Sequence, residues 1–222
     1  MKNIALIIVA LFTAMQAWAI DGIVFTQKYT STANAGANIT VTWYVAEGKC
    51  KMKMEYADKN MSTTTYFIPD AASGAILTYT DGAVPAGQKQ TYYSVPLSSI
   101  EANATAKASR VKVVSTGETK TVLGLVCEKV KVFAADSETE MWVTKDFQVS
   151  FYEFYKYFRN DFALLGLNEA SIKGVPLEIT TKDLSGNVLV SATSVSASKQ
   201  NLSEDTFKVP AGYELATPAQ KK

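Results

Sequence analysis

The chain contains no histidine, which removes the usual general base, proton shuttle and zinc or iron ligand. Its two cysteines, Cys50 and Cys127, are too few for a thiolate metal site and fit either a disulfide or two separate thiols. The carboxylates Asp136, Glu138 and Glu140 lack the Asp/Asn spacing and the glycine of a calcium loop, so they read as a solvated hairpin tip. Glu204 and Asp205 have no neighbour that would split their acidities for acid/base work. The expectation is a protein without catalytic residues, metal or cofactor. What remains is apolar recognition. The candidates are Trp43, Met52, Met54 and Tyr56 on strands, and Phe151, Phe154, Tyr155 and Phe158 at helical spacing, since thioethers and aromatic rings suit a wall that adapts to flexible chains.

Those residues must be held by two kinds of element. Thr119 to Phe158 carries the clearest signal: Thr121 to Phe133 and Thr139 to Lys145 read as a strand pair joined by the polar loop Ala134 to Glu138. The hydrophobic period then changes from 2 to 3.6. From Phe147 the apolar positions Phe151, Phe154, Tyr155, Phe158, Phe162 and Leu165 define one helical face. Ser150 and Glu153 form a capping box, and Gly166 is a plausible stop. A second helix, weakly signalled, falls in Pro96 to Ala106.

The remaining pattern is strands with short polar turns, which makes an antiparallel meander because such connections cannot form parallel crossovers. Ile39, Val41, Trp43 and Val45 alternate with Thr40, Thr42 and Tyr44; Cys50, Met52, Met54 and Tyr56 share one face of the next strand, opposite Lys49, Lys51, Lys53 and Glu55. Ser115 to Glu118 is read as a turn, as is Asp183 to Asn187. Parity points Cys50 inward, but places Cys127 with Lys129 and Lys131. An oxidising destination therefore favours a Cys50–Cys127 disulfide while strand geometry opposes it.

Met1 to Ala19 has the form of a secretory signal: Lys2, an apolar run from Ile4 to Phe12, and Ala17-Trp18-Ala19 before a cut at Ile20. Ile20 is not a cysteine, so no lipidated N-terminus is expected, and the protein is expected in the periplasm or outside the cell. No later stretch reaches the roughly 18 apolar residues of a membrane helix. Residues 20–222 are expected to form one domain. Lys plus Arg number 22 against 21 Asp plus Glu, with no block of either sign, which argues against a nucleic-acid partner.

Four segments in order, Gly117 to Cys127 (GETKTVLGLVC), Met141 to Asp146 (MWVTKD), Gly174 to Ile179 (GVPLEI) and Phe207 to Tyr213 (FKVPAGY), resemble a family of secreted bacterial proteins of unknown function with a fold like that of the lipoprotein carriers LolA and LolB. The resemblance implies a mainly β, α+β architecture: a strongly curved antiparallel sheet, an unclosed barrel, with helices covering the concave face around an apolar cavity. The function expected is then a binding protein that holds a lipid or acyl chain between the sheet and the aromatic helix, with rim groups such as Tyr44 or Lys49 giving specificity. The alternative is an envelope structural or interaction protein whose core is filled. The protein partner in that case is not legible.

Overall fold

The computed structural model describes residues 19–82, 89–97, 112–147 and 172–216. Their strands join one sheet. A first meander runs through β1 (Ala19–Ser31), β2 (Asn38–Ala46), β3 (Lys49–Ala57), β4 (Ser62–Asp70), β5 (Ala75–Asp81) and β6 (Thr91–Pro96). A second runs through β7 (Lys112–Val122), β8 (Leu125–Phe133), β9 (Ser137–Thr144), β10 (Val175–Asp183) and β11 (Val188–Ser203), and a two-residue β12 (Glu214–Leu215) follows. The order is β12-β6-β5-β4-β3-β2-β1-β11-β10-β9-β8-β7, so the meanders lie side by side. β1 and β11 pair antiparallel from Ala19↔Ser203 to Ser31↔Val190, and this central seam holds the halves together. The sheet stays open, with β7 at one edge and β12 at the other.

Side-chain alternation decides the two faces. Register places Phe25 opposite Trp43, Trp43 opposite Met52, and Met52 opposite Phe67, so every second residue of these strands joins one apolar layer. Ile23, Phe25, Val41, Trp43, Val45, Met52, Met141 and Ile179 are all at most 1% exposed, and we call this side the core face. The outer face carries Lys51, Tyr66, Tyr79 and the ends of β1 and β2. It is crossed by the C-terminal strap: a single 3-10 turn, Glu204–Phe207, leads from β11 to β12, which pairs parallel to β6. Phe207 is buried there with Leu202 and Ala46, and Tyr213 packs edge-on against Tyr79 at 4.9 Å.

Several expectations are corrected. Ser115 to Glu118 is no turn but an irregularity inside β7, where the β7–β8 register shifts and Gly117 takes φ 76°. The hairpin turns at Leu123-Gly124, with φ 51° and 81°, so the expected single strand Thr121 to Phe133 is split. β11 is long, Val188–Ser203, and its last residues pair with the start of β1. Cys50 and Cys127 are both free and buried: β2, β1, β11, β10 and β9 lie between their strands, a separation no disulfide spans. Helical geometry among the described residues is confined to the 3-10 turns Thr32–Asn34 and Glu204–Phe207 and to Leu97, so the architecture established is mainly β, and covering helices find no support there. The expected helix 151–165 lies outside the described residues, as do residues 1–18 of the expected signal and all but Pro96 and Leu97 of the weak helix.

Candidate functional site

The core face is organised around one buried amide. Gln27, fully buried on β1, accepts from Tyr29 Oη at 3.0 Å and from Trp43 Nε1 at 3.2 Å, and donates through Nε2 to the Pro176 carbonyl at 2.9 Å. A buried amide is tolerated only when its groups are bonded; the bonds to Trp43 and Pro176 tie β1 to β2 and β10, and the Tyr29 bond lies within β1. Burial pushes the Tyr29 phenol well above its ordinary range, so it remains a donor. Phe25 and Trp43 stack beside this hub with centroids 6.2 Å apart.

Of the sequence-predicted cavity residues, Trp43, Met52, Met54 and Tyr56 do share this face, through the pairings Trp43↔Met52, Val41↔Met54 and Ile39↔Tyr56. They differ in depth. Trp43 and Met52 are sealed at 0% exposure, while Met54 and Tyr56 are half-buried, the latter donating its phenol to Asp58 at 2.9 Å. The same face runs on through Phe67 and Thr78 to Tyr93, which is 59% exposed, and Val95 at 37%. It therefore passes from closed packing at the β1–β2 centre to an open apolar margin at β6. Phe151, Phe154, Tyr155 and Phe158 lie outside the described residues.

A cleft of about 680 Å³ opens at the end of the core face where β1 begins. Its floor is Ile23 and Phe147, both packed into the core cluster. Its rim carries Asp21, Glu47, Asp146 and Lys199, and the Lys199 ammonium sits 5.5 Å from the centroid of the Phe147 ring, within cation–π range. An apolar floor with a few polar groups at the mouth can hold an amphipathic molecule by burial and orient its head. Lys199 reaches this place because it pairs with Ile23 across the β1–β11 seam. That pairing joins residues far apart in sequence, and no local pattern announces it.

Other expected sites resolve differently. Tyr44 and Lys49 belong to the outer face, where Lys49 ion-pairs with Glu204, so neither lies at the mouth of the core face: parity sets them opposite Trp43 and Cys50. Glu138 and Glu140 are held by Lys131 and Lys129. Asp205 pairs with Lys208 at 2.8 Å. Cys127 keeps the lysine parity read from the sequence, yet it is buried, opposite Lys120, whose ammonium reaches Glu178. Burial raises both thiols above their ordinary range, which keeps them protonated and unreactive. Among the described residues no group of three or more His, Cys, Asp or Glu side chains is arranged to hold a metal ion, and no helix is long and apolar enough to cross a membrane.

Sheet order and core face together define a class: an open, mainly antiparallel sheet that presents one continuous apolar layer. The chain belongs to the family described as Domain of unknown function (DUF4412), whose model matches residues 26–213. No curated protein matches it by sequence. Among solved structures, the chain overlaps the Pseudomonas aeruginosa MucA/MucB complex with 11% identity and a TM-score of 0.48, covering 90% of this chain and 60% of that one. An uncharacterized conserved protein from Thermus thermophilus overlaps at 11% identity and 0.49, covering 90% and 91%. A domain described as a putative outer membrane lipoprotein-sorting protein domain from Vibrio parahaemolyticus overlaps at 10% and 0.33, covering 84% and 88%. At these scores the overlaps carry no functional inference.

Proposed function

We propose that the protein is a non-catalytic binding protein of the periplasm or cell exterior that holds a lipid or acyl chain against the core face. The observation that carries this reading is the cleft at the start of β1, with Ile23 and Phe147 as floor and Asp21, Glu47, Asp146 and Lys199 at the rim. Its floor residues Ile23 and Phe147 belong to the apolar core layer, so methylenes placed against them gain about 0.8 kcal/mol each on burial. The half-buried Met54 and Tyr56 and the open margin toward Tyr93 and Val95 extend the apolar surface available to a long ligand. On this reading the aromatic face Phe151 to Phe158 supplies the second wall.

The experiment is capture of a fluorescent fatty acid by three forms of the protein. Asn201→Trp, at an exposed position beside the cleft, plugs the mouth, and Phe154→Ala with Phe158→Ala removes the second wall. Both are expected to lose capture while keeping the β-sheet circular dichroism signal. Capture unchanged in N201W takes the cleft out of the site; capture unchanged in the double variant takes Phe154 and Phe158 out.

One observation favours a second reading, a structural or interaction protein with a filled core: Trp43 and Met52 at the centre of the core face are completely buried, which leaves no room against them. That reading expects no capture by the unmodified protein.

A further inference from the structure

The C-terminal strap does more than cover the outer face. Between it and the β4–β5 turn lies a cleft of about 470 Å³, separate from the one described above and on the other side of the sheet. One wall is fixed, with Ile68 and Leu77 from paired positions of β4 and β5. The other belongs to the strap itself, through Phe207 and Val209. Tyr92, at the β6 position where β12 docks, closes the far end with a phenol.

The charges around this cleft are occupied by one another. Lys49 is held by Glu204 and Lys208 by Asp205, while the Asp70 carboxylate accepts from the Ala72 N–H at 3.1 Å and from the Ser73 hydroxyl at 2.6 Å. Each of these charged groups already has a partner, so among the described residues the cleft presents no unpaired charge to attract a charged ligand. The volume falls in the range of small-molecule sites, and Ile68, Leu77, Phe207 and Val209 give the walls an apolar part between the paired charges. We propose that the space beneath the strap is a second binding site, for a small, uncharged, mainly aromatic or aliphatic molecule, and that occupancy fastens the strap to the sheet.

The fastening follows from where the walls come from. The strap is held by the Lys49–Glu204 pair, by the burial of Phe207, by Tyr213 on Tyr79 and Asp81 (3.0 Å), and by two residues of β12. A molecule touching Val209 and Phe207 on one side and Ile68 and Leu77 on the other binds only the docked arrangement, so it stabilises docking by linkage.

The test uses the neutral fluorescent probe N-phenyl-1-naphthylamine and amide hydrogen exchange on the full chain. The expected result is that saturating probe slows exchange across Glu204 to Leu215, that Ala72→Trp at the exposed turn beside the cleft weakens this component about tenfold, and that Asn201→Trp in the other cleft leaves it unchanged. Val209→Trp, which fills the cleft from the strap, is expected to slow the same amides without probe. The proposal is overturned if the probe leaves strap exchange unaltered, or if both A72W and V209W respond to probe as the parent does.

Discussion

At the scale of single residues, Gln27 is the side chain on which the core face most depends. Gln27→Leu keeps the shape and removes the acceptor of Tyr29 and Trp43 and the donor to Pro176. Each buried bond lost costs about 0.5 to 1.5 kcal/mol net, so urea denaturation should show a loss of about 2 kcal/mol or more. A loss below about 1 kcal/mol would mean that water replaces the amide. Asp183 supplies a pH test. Its carboxylate accepts from the Asn187 side chain and from the backbone N–H groups of Asn187 and Ser185, and these bonds hold it below the ordinary carboxylate range. A depressed folded pKa gives stability that is present above the unfolded value, near 3.9, and is lost as pH falls through the folded one. The drop in Tm between pH 7 and pH 3 should therefore be smaller in Asp183→Ala than in the parent. Parity made the side of Met52, Met54 and Tyr56 legible in the sequence. Their depth was not, because burial depends on strands that are neighbours only in the folded sheet.

At the scale of elements, the hairpin at Leu123-Gly124 shows why one turn went unread. Gly117 and its polar neighbours advertise a turn, whereas a leucine at φ 51° contradicts the preference of L-residues, for which the left-handed region costs about 1 to 2 kcal/mol. Gly117 instead allows the irregularity in β7. Leu123 is 46% exposed, so Leu123→Asn removes strain with little loss of packing and should stabilise the protein by about 1 kcal/mol. An unchanged or lowered urea midpoint would count against a strained turn. The strap permits a second prediction. Phe207 is 9% exposed against Leu202 and Ala46, and Phe207→Ala should cost about 3 kcal/mol in urea denaturation. Glu204→Gln, at a half-exposed ion pair, should cost under about 1 kcal/mol.

At the scale of the whole molecule, two local meanders depend on one non-local seam. Short turns made each meander readable, since neighbours in sequence are neighbours in the sheet. The β1–β11 pairing was not readable, because it joins strands far apart in the chain and no local pattern specifies it. It is also what brings Lys199 beside Ile23 and so completes the mouth of the main cleft. Binding at the core face therefore depends on whether this mouth admits a ligand. Native mass spectrometry of the protein purified without detergent from the cell envelope fraction, with organic extraction of the same sample, tests that directly. The expected result is a reproducible added mass that extracts as lipid and disappears in Asn201→Trp. A bare protein mass that stays bare after incubation with envelope lipids would contradict it and leave the filled core as the reading.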